Sequence, residues 1–205
     1  VVKANLSKPE DIALLFDRIK SDYGALDIFV SNAASGFNRP AMEQKVTGWD
    51  WTMDVNARAF LFSAQRAVEL MEPRGGGHMV AISSPGSHRV LPDYVAVGAS
   101  KAALEAITRY LAVELAPRKI HVNAVAPGPV DTAMAKAVHT PEIRRDYHDT
   151  IPLNRYGLEE ELAEAIFFLC SDRASYMTGQ VIAVDGGFEA TGIGLPTMRA
   201  ARRNL

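Results

Sequence analysis

What most limits the folds open to this chain is an alternation of short, almost wholly apolar runs with amphipathic stretches of helical length. The apolar runs cover 26–30, 78–82, 120–125 and 181–184, with a fifth, less apolar one at 1–6 that reads as a short strand. Between them, 9–23, 48–71, 94–115 and 159–169 carry helical patterning. Ser7 is placed to cap the first of these, Gly24 to end it, and Pro117 to stop the third. Strands apolar on both sides belong in parallel sheets covered on both faces, and intervening helices supply the right-handed crossovers. The expected fold class is therefore α/β, a doubly wound parallel sheet. Ligands bind such sheets beyond the carboxyl ends of the strands, and the polar clusters 32–36, 83–87 and 127–132 each follow a strand. Residues 131–157 read as polar and irregular.

Composition narrows the function classes. A chain of 205 residues suits one domain with a sizeable core. A net charge of −2 lacks the basic footprint of a nucleic-acid binder. No apolar run approaches the ~20 residues of a membrane span, so neither nucleic acid nor membrane is an expected partner. The opening residues lack the basic and long apolar regions of a signal peptide, and also an initiator Met, so the chain reads as the middle of something. Cys170, the one cysteine, excludes an internal disulfide, suits a cytoplasmic setting, and reads as a small core residue. The five histidines show no metal-ligand spacing, so no metal is expected. Trp49, Trp51, Phe60, Phe62, Phe167 and Phe168 read as packing residues.

Tyr94 and Lys101 stand seven residues apart on a helical segment. That is close to two turns, so both share a face, with a rise of about 10.5 Å between them. A cation near a phenol lowers its pKa and makes it a proton donor near neutrality. Alone, the pair reads as a Tyr at a helix start and a Lys on the helix surface. Its surroundings decide: Ser31-Asn32-Ala33-Ala34, Met53-Asp54-Val55-Asn56, Ile82-Ser83-Ser84, Ala99-Ser100-Lys101-Ala102-Ala103, Val122-Asn123-Ala124-Val125-Ala126-Pro127-Gly128 and Val184-Asp185-Gly186-Gly187 follow in order. With these motifs the chain resembles the short-chain dehydrogenase/reductase family from residue 1 to about 187, which implies a Rossmann-like sheet and a nicotinamide cofactor. By that resemblance Lys101 bonds the nicotinamide ribose and Asn56 holds a relay water. Asn32, Ala33 and Ala34 support the sheet end beside the cofactor, and Pro127, Gly128, Val130 and Thr132 line the nicotinamide. Asn5 and Leu6 stand where the family contacts adenine, without the acidic residue common there. The second long helix and last strand are the family's usual contact surfaces, implying a tetramer or dimer.

The commonest family spacing puts a tyrosine four residues before the lysine, where this chain has Val97. The longer Tyr94–Lys101 spacing resembles the enoyl-thioester reductases. In ketone reduction hydride attacks the carbon bearing the oxygen. In enoyl reduction it attacks Cβ, and charge develops on an oxygen three bonds away, so the stabilising hydroxyl must stand further from the nicotinamide. Asn32-Ala33-Ala34-Ser35-Gly36, Arg39-Pro40, Trp49-Asp50-Trp51-Thr52-Met53 and Tyr110-Leu111-Ala112-Val113-Glu114-Leu115 bring the resemblance to the type III, NADPH-dependent enoyl-acyl-carrier-protein reductases. NADH remains open as the hydride source. Ser84 either assists Tyr94 or caps the strand end. The alternatives are a carbonyl or alcohol oxidoreductase of the same family, and a non-catalytic relative.

The family's glycine-rich loop, which cradles the pyrophosphate at a helix N-terminus, is not found. Thr191-Gly192-Ile193-Gly194 leads into Leu195-Pro196 and does not qualify; Gly75-Gly76-Gly77 is a helix-to-strand turn. The expectation is an incomplete catalytic domain over 1–190, lacking the first β-α-β segment and binding nicotinamide nucleotide poorly. Within it, 131–157 would form a substrate lid. A tail over 191–205, with Arg199, Arg202 and Arg203, would follow. Lid residues Lys136, Arg144 and Arg145 either meet an acidic acyl-carrier protein or form a solvated surface; a coenzyme A thioester is the other form of substrate.

Overall fold

The computed structural model describes residues 1–191. Four parallel strands, β1 (Ile28–Ser31), β2 (Gly77–Ile82), β3 (Ile120–Pro127) and β4 (Val181–Val184), lie side by side in chain order. Their register pairs Ile28 with His78, Gly77 with Ile120 and Ala124 with Val181. All four carboxyl ends therefore emerge on one edge of the sheet. The parallel α/β layer expected from the apolar runs is the layer found.

Three helices cover one face: α1 (Pro9–Tyr23), α3 (Ala59–Met71) and α4 (Val95–Leu115). Ile12, Phe16, Phe60, Met71, Leu104 and Leu115 meet Met79, Ala81, Ile120, Val122 and Ala124 there. Alternation along each strand turns Val80, Ile82, Val125, Ile182 and Val184 to the other face, where they pack with Leu162, Ile166 and Leu169 of α7 (Glu159–Leu169). This second face is less covered, and Ile28 and Val30 of the edge strand remain exposed.

Four local expectations need correction. Residues 1–6 form no strand; Leu6 instead packs into the core beside α1. Ser7 does not cap α1, because its backbone N–H and its hydroxyl both donate to Asn5 Oδ1, and Lys8 takes the capping position without a side-chain bond. The polar stretch 131–157 is not irregular. It holds α5 (Ala133–Val138) and α6 (Pro141–Thr150), capped by the hydroxyls of Thr132 and Thr140. The long helix expected over 48–71 is continuous, but begins at Val46 as α2 (Val46–Met53) and passes through a π-helical turn at Asp54–Arg58 before α3. Residues 192–205, including Arg199, Arg202 and Arg203 and most of the rejected glycine pattern, lie outside the described residues.

Of the aromatic residues expected to pack, Phe60 is buried, whereas Phe62, Phe167, Trp49 and Trp51 stand partly or largely exposed. Trp51 Nε1 donates to Ser35 Oγ. Cys170, at the C-terminal end of α7, is half-buried, and burial raises its pKa. No helix among the described residues is long and apolar enough to cross a membrane, and no cluster of His, Cys, Asp or Glu there could hold a metal ion.

Candidate active site

At the carboxyl end of β2 the chain turns through Ser83, Ser84 and a 3-10 turn at Pro85–Ser87 before reaching α4. Tyr94 is not inside that helix. It is the N-cap residue, with φ −107° and ψ 10°, following Asp93 in the left-handed region at φ 59°. From there Tyr94 Oη reaches Ser84 Oγ at 3.5 Å, a long contact, while Ser84 Oγ also accepts the Gly86 N–H at 3.1 Å. Gly86 is required by this approach, since a Cβ there would stand 2.6 Å from the Tyr94 ring.

Lys101 comes back to the same strand end two turns later. Its Nζ donates to the Ile82 carbonyl at 2.6 Å, and the residue is 4% exposed. Burial pushes its pKa down to about 8. The two residues picked out by spacing thus meet through Ile82 and Ser84 rather than by a direct bond. Val97, where the common family tyrosine would stand, is buried; a Cβ on Gly36 would come within 2.3 Å of its Cγ2. The loop after β1 therefore closes over Val97.

Asn56, 1% exposed, lies in the π turn and is fully engaged. Its Oδ1 accepts the Ser35 N–H at 2.8 Å, and Nδ2 donates to the Ser35 carbonyl at 2.8 Å and to Ser100 Oγ at 2.9 Å. A side-chain amide has only two N–H groups. Both are spent on tying the loop after β1 to α4, so this side chain is not free to donate to a water.

A cavity of about 310 Å³ opens at this edge, lined by Ser83, Ser84, Pro85, Tyr94, Pro127 and Gly128. Asn38, Leu91, Pro92, Pro129, His139, Tyr147 and Phe188 complete it, none of them singled out by the sequence. The Tyr147 ring contacts His139 and Phe188, and burial raises its pKa, with Tyr94 adding to the shift. For His139 and Tyr147 the one available signal was a helical period within 131–157.

The other expected cofactor residues do not border this cavity. Asn32, Ala33 and Ala34 lie exposed at the carboxyl end of β1, at the same sheet edge. Val130 makes a bridge to Gly157, and the Thr132 hydroxyl caps α5. Asn5 is turned toward α1: its N–H donates to Asp11, and its side chain accepts from Ser7. Leu6 is core. Lid cations are largely neutralised within the chain. Arg144 and Lys136 pair with Asp131, depressing its pKa, while Arg144 also lies over the Tyr156 ring; Arg145 pairs with Glu142.

Comparison with known proteins decides the family. The model described as enoyl-(acyl carrier protein) reductase matches residues 1–189. The chain belongs to the short-chain dehydrogenase/reductase family. It is 40% identical over 189 residues to 1-cyclohexenylcarbonyl-CoA reductase of Streptomyces collinus, covering 91% of this chain and 67% of that protein. It is also 38% identical to the 3-oxoacyl-(acyl-carrier-protein) reductase of Aquifex aeolicus, covering 91% and 75%. Among solved structures, a gluconate 5-dehydrogenase of Burkholderia cenocepacia in complex with NADP and tartrate superposes with a TM-score of 0.87 at 27% identity, covering 91% of this chain and 74% of that one. Family membership makes this chain an oxidoreductase and its strand-end cavity the candidate active site. The short-chain dehydrogenase/reductase relatives themselves span enoyl, ketoacyl and alcohol chemistry.

Proposed function

We propose that this protein reduces the trans-2 double bond of an enoyl thioester, drawing on NADPH, as in fatty-acid synthesis. The observation that carries the reading is the placement of Tyr94 at the N-cap of α4, while Val97 fills the common tyrosine position behind the loop at Gly36. A hydroxyl one turn earlier suits an oxygen three bonds from the carbon attacked. The relative at 40% identity is named for reducing a cyclohexenylcarbonyl thioester, whose double bond adjoins the carbonyl.

The residues fit the nicotinamide ribose half of the cofactor. Lys101 presents a buried ammonium of which only one N–H bond, to Ile82, is accounted for, leaving donors for a ribose diol. Among the described residues no glycine-rich turn fits the pyrophosphate. When bound, the cofactor supplies the hydride. Tyr94 then donates to the thioester oxygen as it becomes an enolate and supplies or relays the proton. Ser84 holds the phenol. Pro127 and Gly128 present a wall against which a flat ring lies. The backbone of the π turn, rather than the Asn56 side chain, holds the relay water. Val130, Thr132, Asn5 and Leu6 serve by shaping lid and core. Because Arg144 and Lys136 are paired with Asp131, either a carrier-protein or a coenzyme A thioester is accepted. Exposed Tyr110 and Val113 on α4 support self-association as a dimer or tetramer.

One observation favours a second reading. The Tyr94–Ser84 hydroxyl pair would equally polarise a ketone, and the ketoacyl reductase of Aquifex aeolicus is 38% identical. The test is NADPH oxidation by the chain joined to a glycine-rich N-terminal segment, with crotonyl thioester, acetoacetyl thioester and a simple ketone. Turnover of the crotonyl thioester is expected; turnover of the acetoacetyl substrate alone would overturn the proposal.

A further inference from the structure

The mechanism above leaves one buried acid unused. Glu105 lies on α4 one turn beyond Lys101, is 9% exposed, and faces the turn after β2. Its Oε1 accepts the Ser83 hydroxyl at 2.5 Å and the Ser87 hydroxyl at 2.7 Å. These two serines bracket Ser84, Pro85 and Gly86. One carboxyl oxygen thus pins both ends of the short segment that touches Tyr94, through Ser84 Oγ and through the close approach of Gly86 to the ring. Gly98 of the same helix packs on the Gly86 carbonyl, where a Cβ would come within 2.6 Å, so the segment is held from both sides.

The outer end of the pin is also occupied. Ser87 has one hydroxyl proton, which it gives to Glu105, so toward His88 Nδ1 at 2.9 Å it can only accept. His88 in turn pairs with Glu189 beyond β4. The hydrogen bonds Glu105–Ser87–His88 and the His88–Glu189 ion pair together run from α4 to the segment after β4. A buried carboxyl that only filled space would be a costly choice, since an unpaired acid in such a site loses its hydration.

We propose that Glu105 is the positioning residue of this site, fixing the 83–87 turn so that Ser84 and Gly86 set the orientation of the Tyr94 phenol. The proposal rests on the reading of Tyr94 as the proton donor. Its primary test does not. In the 205-residue chain, Glu105→Ala should speed hydrogen exchange of the Gly86 amide, which donates to Ser84, at least tenfold, with the amides of α4 around Leu104 unchanged. Glu105→Gln, which keeps an acceptor oxygen, should restore slow exchange. In the turnover assay Glu105→Ala should lower kcat roughly 10- to 100-fold at unchanged KM, the split expected when only a transition-state contact is lost. Should Glu105→Ala fail to fold, Ser87→Ala removes one of the two donors at a half-exposed position and reads the same exchange. Gly86 exchange within twofold of the parent, or a rise shared by all of α4, would overturn the proposal. A chain that lacks enoyl turnover but shows the local Gly86 effect would contradict the substrate reading and leave the positioning role supported.

Discussion

Replacing Tyr94 by phenylalanine removes one oxygen and leaves the ring against Gly86. A positioned proton donor contributes about 10²–10⁴-fold, so kcat should fall by that order while KM and the thermal midpoint stay near the parent values. Steady-state kinetics with a calorimetric scan checks both, and unchanged kcat would remove Tyr94 from the mechanism. Lys101 makes a paired prediction. Burial lowers its pKa to about 8 from the ordinary 10.5, so between those values the unfolded chain binds more protons than the folded one. Stability then rises with pH across that window, by about 3 kcal/mol for a shift of this size. Turnover should fall over the same range as the ammonium is lost. Urea titrations at pH 7.5 and 10 should show the rise in the parent and a smaller one in Lys101→Met. A parallel fall of stability and activity would contradict the assignment.

At the scale of elements, the π turn joins three parts of the site through one side chain. Asn56→Ala would strand the Ser35 N–H and carbonyl and free Ser100 Oγ. With about 1–3 kcal/mol for each buried group left unpaired, a loss of several kcal/mol and a fall of roughly 10 °C in Tm are expected. A fall below 2 °C would show that the loop after β1 is held by other means. The sequence revealed the asparagine but not this use of it. Strand and helix existence were legible because apolar periodicity survives any tertiary arrangement: β2, β3, β4 and α7 lie within two residues of their expected bounds. The π turn was not, because it is a backbone adjustment within an unbroken helical pattern. Nor were α5 and α6, which are only 6 and 10 residues long and start at the caps Thr132 and Thr140. Residues 1–6 misled for the opposite reason, since an apolar run is a strand only where a neighbour pairs with it. Spacing found Tyr94 and Lys101; it could not find Phe188 or Tyr147, which reach the same sheet edge from distant segments, nor Glu105, whose two serine partners lie in the turn after β2.

For the whole molecule, the four parallel strands bring Ser84, Tyr94, Lys101 and the Pro127–Gly128 turn to one edge. Among the described residues that edge has no glycine-rich turn at a helix N-terminus to bind the pyrophosphate. NADPH titrated into the 205-residue chain should bind more weakly than about 100 µM, worth under roughly 5.5 kcal/mol, by intrinsic fluorescence or calorimetry. Low-micromolar affinity would require a phosphate site elsewhere on the molecule. The central claim concerns which carbon receives the hydride, and the most direct measurement follows that atom. The chain joined to a glycine-rich segment is given a crotonyl thioester and NADPH deuterated at the transferable position, and the product is read by NMR. Deuterium at C3 of a butyryl thioester is the predicted result. No labelled butyryl product from crotonyl thioester, together with label on the hydroxyl-bearing carbon when an acetoacetyl thioester is supplied, would contradict it.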